Sequence, residues 1–226
     1  MSTSLHDHST RSSVRRETVA EQSAEILRAQ MLTGQLKPGD AVTEEAMARE
    51  IGISRPTMRE VLSTLLAEGL LTRSPSTRVL HVTSITAQEI REIYVVRRLL
   101  ESAGVDAMAD ASPSDLARLE AATARLIASV EVADRPAVVL ADIECHLATV
   151  TMIGAPDLVD FYRRQLTKLE VAMSEGMRTP SDLDEALESH STFLELVRSG
   201  KLIEAKAQLL ARLDEAEALQ LSSLEK

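Results

Sequence analysis

The chain has 226 residues, of which 44% are hydrophobic and only 2% are aromatic, with no Trp. This length suits two domains, and a core of Leu, Ile, Val, Ala and Met favours helices. No stretch approaches the roughly 20 apolar residues that span a bilayer, and the N-terminus lacks an apolar signal core. The single Cys excludes an intrachain disulfide. We therefore expect a mainly α-helical, cytoplasmic protein without membrane contact.

The net charge of −10 is distributed unevenly along the chain. Residues 1–80 contain 10 basic and 10 acidic residues, whereas residues 81–226 contain 15 basic and 25 acidic residues. Attraction to phosphate is a local effect, because salt screens charges within roughly 8–10 Å. The acidic C-terminal part therefore does not exclude nucleic-acid binding by the N-terminal part.

The N-terminal residues 1–16 are rich in Ser, Thr, His and Arg and contain almost nothing to bury. This composition predicts a disordered tail. A helix is predicted over residues 17–33, followed by a turn-rich connection over residues 34–40. The buried positions expected on this helix include Val19, Ile26 and Leu27.

Residues 43–69 have the pattern of two short helices joined by a tight turn. Thr43 is a suitable N-cap for the first helix. Gly52 can end that helix because glycine adopts the left-handed conformation without steric cost. Ser54 is a suitable N-cap for the second helix, on which apolar residues recur at spacings of four and three. This buried stripe is expected to contain Met58, Leu62 and Leu65.

Arg55 and Arg59 lie four residues apart and share a different face of the second helix. Two β-prone runs, 70–73 and 78–82, follow with a turn between them and predict a wing. Arginines near the start of the second helix are typical of a DNA-binding helix-turn-helix. The two helices alone would also fit a plain helical hairpin with solvated arginines.

From about Thr86 onward, long helical stretches alternate with short breaks at Pro and Gly. Six helices with short connections indicate an antiparallel bundle. They are predicted near residues 86–110, 114–131, 135–153, 156–177, 181–199 and 201–223. The predicted organisation is a tail (1–16), a winged helix-turn-helix DNA-binding domain (17–83) and a helical domain (86–226).

The segment Gln35–Asp40 and the string GISRPTMREVLSTLLAEGLL resemble the winged helix-turn-helix of GntR-family transcription regulators. The recognition helix of that family begins close to Ser-Arg-x-x-x-Arg-Glu. YVVRRLLES (94–102) is similar to the opening helix of the FCD ligand-binding domain in the FadR-type branch. The resemblance implies a mainly α fold with an N-terminal winged helix-turn-helix and an antiparallel six- to seven-helix bundle. The residues that match the recognition-helix motif are Ser54, Arg55, Arg59 and Glu60.

The resemblance also implies how such a protein would contact DNA. Arg55 and Arg59 would enter the major groove, where an arginine fork suits the two acceptors of guanine. Family wings commonly carry Gly at the tip, where this chain has Thr77-Arg78. A homodimer would bind a palindromic operator, because the site mirrors the protein two-fold axis. The implied DNA-binding residues are Arg49, Ser54, Arg55, Thr57, Arg59 and Arg78.

FCD domains often bind a divalent metal through one Asp and three His, and this chain matches three of those ligands. Asp142 and His146 have the Asp-x-x-x-His spacing, which places both side chains on one helical face. His190 belongs to a stripe that faces into the bundle, although a core histidine without a ligand role would show the same pattern. Arg212 stands where the fourth ligand is expected, and a guanidinium stays protonated.

Two alternatives follow for this site. The three matched residues could hold Zn, Ni or Mn, with water or the effector completing the shell. Alternatively the metal is lost, and Arg212 pairs with Asp142 or binds a carboxylate effector directly. The resemblance also directs Arg97 toward the carboxylate of the effector. The alternative partner of Arg97 is Glu101, four residues further along the helix.

The expected function is that of a ligand-responsive transcription regulator, with repression as the expected mode. A small carboxylate effector would bind in the C-terminal helical domain, which would also dimerise. A metal-dependent enzyme using Asp142, His146 and His190 is the alternative from another class, but the sequence has no recognisable nucleophile–base pair or glycine-rich phosphate loop. A helical interaction module without DNA contact is a third hypothesis.

Overall fold

The computed structural model describes residues 17–132, 134–172 and 180–224. This part of the chain contains nine α-helices and three short strands. The N-terminal elements are α1 (Val19–Leu32), β1 (Ala41–Val42), α2 (Glu44–Ile51), α3 (Arg55–Ala67), β2 (Leu71–Arg73) and β3 (Leu80–Val82). The C-terminal helices are α4 (Ala87–Ala107), α5 (Pro113–Glu131), α6 (Arg135–Thr151), α7 (Pro156–Ala172), α8 (Pro180–Arg198) and α9 (Leu202–Ser223). The predicted tail and the predicted helical residues 173–177 lie outside the described residues.

Helices α1–α3 and a three-stranded sheet form a winged helix-turn-helix, and the caps lie where the sequence predicts them. Thr43 Oγ1 accepts a hydrogen bond from the Ala46 N–H at 3.3 Å, and Ser54 Oγ accepts one from the Thr57 N–H at 3.3 Å. Gly52 ends α2 with a φ of 79°, in the left-handed region. The sheet is antiparallel with the strand order β1-β3-β2. Strand β1 was not predicted, because two residues are too short to show an alternating pattern.

The core of the N-terminal unit confirms one predicted stripe and corrects another. Leu27 of α1 is buried, but Val19 and Ile26 are 58% and 46% exposed, so their predicted burial is wrong. The helical period passes instead through Ala24 and Met31, three residues before and four after Leu27, and both are buried. The predicted stripe of α3 is buried and consists of Met58, Leu62 and Leu65.

The C-terminal helices form a bundle in which α4 packs against α6, α7 and α9, and α5 packs against α6 and α8. Gly104 allows α4 to approach α6 closely, because a Cβ at this position would lie 2.3 Å from the carbonyl oxygen of Thr149. This close approach brings Glu101 of α4 beside His146 of α6 in the buried interior. Within the described ranges, no helix is both long and apolar enough to cross a membrane.

Helix α1 connects the two units by packing against α6 and α7. Val171 of α7 is fully buried in the same apolar cluster as the core of the N-terminal unit, and Val139 of α6 packs against that cluster. Val139 lies three residues before Asp142, so one face of α6 contacts the N-terminal core close to the polar interior of the bundle.

Gly104→Ala should destabilise the protein by about 1–3 kcal/mol, because the added methyl group must displace the backbone of α6. Chemical denaturation of wild type and variant measures this loss. Ala103→Ser, at the adjacent exposed position of α4, is the matched control and should change stability by less than about 0.5 kcal/mol. Equal stability of Gly104→Ala and wild type would contradict the close contact of α4 with α6.

Candidate functional site

The first candidate surface is formed by α2 and the N-terminal end of α3. The side chains of Arg55 and Arg59 are 61% and 67% exposed, so a partner could reach both. Arg49 of α2 is exposed as well. Ser54 and Thr57 lie at the start of α3, where their hydroxyl groups hydrogen bond to each other at 2.7 Å. These five predicted DNA-binding residues therefore lie on two neighbouring helices.

Two glutamates of α2 engage the three arginines on this surface. Glu44 accepts hydrogen bonds from Nε and Nη2 of Arg59, both at 2.9 Å. Glu45 accepts one from Nη2 of Arg55 and another, at 3.2 Å, from Nη2 of Arg49. The hydrogen bond from Arg59 lowers the pKa of Glu44. Sequence spacing does not predict the pairs of Arg55 with Glu45 and of Arg59 with Glu44, because these residues lie 10 and 15 positions apart.

The predicted phosphate contact Arg78 lies in the wing between β2 and β3. Its φ is 65°, in the left-handed region that favours glycine. Its N–H donates to the carbonyl oxygen of Ser74 at 3.0 Å, and its own carbonyl oxygen accepts from Nη1 of Arg73 at 3.2 Å. The turn therefore has the backbone conformation that glycine would supply, while the Arg78 side chain remains exposed.

The second candidate site is a cluster of charged and polar side chains inside the C-terminal bundle. Five helices contribute to it, and most of its members are at most 6% exposed. Arg212 is half-buried. The cluster consists of Arg97 and Glu101 from α4, Asp142 and His146 from α6, Tyr162 from α7, His190 from α8 and Arg212 from α9.

Asp142, His146 and His190 come together as the sequence analysis anticipated. Each offers one potential ligand atom, and these atoms all lie within 4.8 Å of one another. Nε2 of His146 is 3.8 Å from Asp142 Oδ2, and Nε2 of His190 is 3.4 Å from Asp142 Oδ1. One carboxylate and two imidazoles suit a divalent ion that keeps an open coordination position.

Glu101 lies at the centre of the cluster, although the sequence indicated it only as an alternative partner of Arg97. Its carboxylate accepts hydrogen bonds from Arg97 Nε at 3.0 Å, from His146 Nδ1 at 2.7 Å and from the Tyr162 hydroxyl. The only other Tyr of the chain, Tyr94, lies with its hydroxyl 3.3 Å from Nη1 of Arg97. That both Tyr residues contact this ion pair is a pattern that sequence alone could not reveal.

The carboxylate of Glu101 also determines the state of His146. A carboxylate can only accept, so Nδ1 of His146 carries the proton and Nε2 is the acceptor. Burial lowers the pKa of His146, and the charge of Glu101 offsets this only in part. The neutral ring is the form that binds a metal through Nε2. In this structure Nε2 lies 3.0 Å from Nη2 of Arg97, a hydrogen-bond donor.

Arg212 makes the same kind of contact with the second imidazole. Its Nη1 lies 2.9 Å from Nε2 and 3.2 Å from Nδ1 of His190. Its Nε is buried and has no hydrogen-bond acceptor among the described residues. The charges of two guanidiniums and two carboxylates cancel in the cluster when both imidazoles are neutral. A metal and the arginines would therefore compete for the same imidazole lone pairs.

Cys145 lies next to His146 in sequence but outside this cluster. It is 2% exposed and packs in an apolar group with Ala122 and Leu126. Burial raises the pKa of the Cys145 thiol to about 12, with a further contribution from Asp142. The protonated thiol therefore packs as a small buried apolar group.

Glu101→Gln should lower the free energy of unfolding by about 3–5 kcal/mol, because it leaves the buried charge of Arg97 without its carboxylate. Urea denaturation at pH 7 measures the loss. Glu120→Gln is the control, since Glu120 forms a solvent-exposed pair with Arg198 at 2.7 Å, and its cost should stay below about 1 kcal/mol. Similar costs for the two variants would contradict the central role of Glu101.

Wild type and Glu101→Gln also test how stability depends on pH. Burial alone would raise the pKa of the Glu101 carboxyl, but His146 and Arg97 together hold it well below the usual range. The corresponding pKa in the unfolded chain is about 4.3. The contribution of Glu101 is therefore complete above about pH 5 and is lost as the pH falls below about 4. We expect the stability difference between wild type and Glu101→Gln to shrink over that acidic range.

Residues 92–215 match the family model of the FCD domain, and residues 19–79 match that of the bacterial regulatory proteins of the gntR family. The fold is similar to the crystal structure of a GntR transcriptional regulator from Rhodococcus sp. RHA1, with a TM-score of 0.77 and 25% sequence identity. The match covers 90% of this chain and 97% of that chain. The structure of E. coli McbR/YncC has a TM-score of 0.74 at 21% identity, covering 92% and 100% of the two chains, and supports the fold.

Sequence relatives agree with these structures. The chain is 34% identical over 95 residues to the HTH-type transcriptional regulator YdhC of Bacillus subtilis (strain 168) and spans 42% of the length of that protein. It is 25% identical over 180 residues to the HTH-type transcriptional regulator McbR of Escherichia coli (strain K12). This match covers 76% of this chain and 79% of McbR. The FCD match alone covers more than half of the chain. The chain therefore belongs to the gntR family of bacterial regulatory proteins, in the group whose C-terminal part is an FCD domain.

Proposed function

We propose that this protein is a homodimeric transcription regulator that binds a palindromic DNA operator and that a small carboxylate effector controls its operator affinity, with repression as the expected mode. Members of the family are transcription regulators and not enzymes, so the comparisons do not support the alternative of a metal-dependent enzyme. The observation that carries the proposal is the exposed pair Arg55 and Arg59 at the start of α3 in a winged helix-turn-helix.

In the proposed complex, Arg55 and Arg59 contact base edges in the major groove. The guanidinium fork matches the O6 and N7 acceptors of guanine, and each such contact discriminates against a wrong base by about 1–3 kcal/mol. The remaining DNA-binding residues would contact phosphates and orient the helix without specifying sequence. These residues are Arg49, Ser54, Thr57 and Arg78.

Arg97 and Arg212 support a carboxylate as the class of effector. Both guanidiniums lie in the buried cluster, and the buried Nε of Arg212 has no acceptor among the described residues. A carboxylate offers two acceptors in the plane of a guanidinium and adds a charge-assisted pair of hydrogen bonds. An effector carboxylate that meets Arg212 would therefore satisfy a donor that the cluster leaves without a partner.

Helix α6 provides the connection to the DNA-binding unit. It carries Asp142 and His146, and its Val139 packs against the N-terminal core together with Val171 of α7. An effector that shifts α6 would change how the N-terminal unit is held. It can do so only if it binds one arrangement more tightly than the other.

We further propose that Asp142, His146 and His190 hold one divalent ion, Zn, Ni or Mn, in competition with the two arginines. The donor set and its spacing fit such an ion. Such an ion would supply positive charge and a coordination site for the effector carboxylate. His190 cannot offer the same lone pair to an ion and to Arg212, whose Nη1 now lies 2.9 Å from Nε2.

Arg55→Ala should reduce operator affinity by at least about 100-fold, because the dimer loses one base contact in each half-site. The probe is a palindromic duplex that wild type selects from a randomised library, and fluorescence anisotropy measures its binding. Arg198→Ala, which removes an exposed positive charge from α8, is the control and should bind normally. A folded, dimeric Arg55→Ala protein with wild-type affinity would refute the assignment of α3 as the recognition helix.

Arg212→Ala should bind Zn²⁺ at least about tenfold more tightly than wild type, because it removes a competing positive charge from beside His190. His190→Ala should lose the ion. Isothermal titration calorimetry with ZnCl₂ on metal-stripped protein and elemental analysis measure both effects. Arg198→Ala controls for loss of a charge on the same helix as His190. Zinc binding that is unaffected by His190→Ala would rule out this metal site.

A further inference from the structure

The glutamates of the DNA-facing surface have no role in the function proposed above. Glu44 and Glu45 are the first two residues of α2, and their carboxylates engage Arg49, Arg55 and Arg59. All five side chains are at least 38% exposed. Three guanidiniums therefore face the solvent together with two carboxylates, so the surface has much less positive charge than its arginines alone would give.

Stability of the fold does not explain this arrangement. Exposed ion pairs contribute little to stability, and an acidic residue in the first turn of a helix gains only a weak interaction with the helix dipole. In the proposed complex the same carboxylates would be unfavourable, because each would lie near a closely spaced row of phosphates. Their position beside the recognition helix weakens binding to every duplex unless they contribute something that depends on sequence.

The geometry at Arg59 indicates such a contribution. A guanidinium has five N–H donors, and Glu44 accepts from Nε and from Nη2 of Arg59, which leaves the donors of Nη1 and one of Nη2. One N–H of Nη1 and the remaining N–H of Nη2 form the terminal edge of the guanidinium, a second fork that suits the O6 and N7 acceptors of guanine. Glu44 can therefore orient Arg59 for a base contact and remain paired with it in the complex.

We propose that Glu44 and Glu45 determine sequence specificity in DNA binding. Glu44 positions Arg59 so that its terminal fork faces a guanine, and both carboxylates reduce the positive charge with which the arginines would attract any phosphate backbone. Glu45 accepts a single hydrogen bond from Nη2 of Arg55 with one carboxylate oxygen and contacts Arg49 with the other, so its main contribution is its charge. This inference rests on the proposed base contacts of Arg55 and Arg59.

The test uses the full-length protein and three duplexes of equal length. The first is the palindrome that wild type selects from a randomised library, the second carries single replacements at its symmetric G·C pairs, and the third is a scrambled sequence. The variants are Glu44→Gln, Glu44→Asp and Glu45→Gln. Glu50→Gln is the matched control, because Glu50 is an exposed residue of α2 that pairs with Gln30 on α1.

Removing either charge should raise affinity for the scrambled duplex about tenfold, because the dimer loses one charge from each head and a charge some 6–7 Å from a phosphate in water contributes about threefold. Glu44→Gln should also reduce discrimination at one G·C pair by about tenfold, since Arg59 is no longer oriented. Glu44→Asp keeps the charge but has a shorter side chain. It should leave scrambled-duplex affinity at the wild-type value and still lose discrimination at that pair.

Glu44→Gln and Glu45→Gln proteins that behave like Glu50→Gln on all three duplexes would overturn the inference. If Arg59→Ala at the same time loses palindrome binding, the proposed recognition helix stands and only the role of the glutamates fails. If wild type selects no sequence from the library, the proposed operator binding and this inference both fail. Circular dichroism confirms that each variant is folded before its affinity is measured.

Discussion

The buried carboxylate of Glu101 is the contact on which the interior of the C-terminal bundle depends. It accepts hydrogen bonds from Arg97 of its own helix, from His146 of α6 and from Tyr162 of α7. It can do so because Gly104, one turn away, allows α4 and α6 to approach closely. A charge that is fully buried is tolerable only with such complete compensation. The same contact fixes the tautomer of His146, while burial lowers the pKa of the ring and keeps it neutral, the state required of a metal ligand or a hydrogen-bond acceptor.

The buried cluster and the exposed surface of α2 and α3 share one electrostatic arrangement, in which the arginines proposed to bind a partner already contact an acceptor within the chain. These arginines are Arg49, Arg55, Arg59, Arg97 and Arg212. Arg59 is paired with Glu44, and Arg212 lies against His190. A partner must replace or extend these contacts, so a charge of the right sign is not sufficient for tight binding. The cost of that exchange is small at the exposed surface and larger in the buried cluster, where polar groups without partners are penalised more strongly.

The sequence correctly predicted helix caps and a buried stripe where local patterns decide the structure. The caps at Thr43 and Ser54 and the buried stripe of α3 follow from residue type and helical period, and the structure agrees with them. The prediction for α1 was wrong at Val19 and Ile26, because apolar character alone does not show which side of a helix meets the core. The family resemblance placed Asp142, His146 and His190 in one site, and these residues do lie together.

By itself, the sequence determined the family, the order of the helices and the residue types available for DNA and effector binding, since these depend on local spacing and motif. Only the tertiary structure decided which charges meet. Glu101 with Tyr162, Arg212 with His190 and Glu44 with Arg59 are separated by between 15 and 61 positions. Such contacts depend on how helices pack against one another, and the strength of each charge interaction depends on the burial that packing creates.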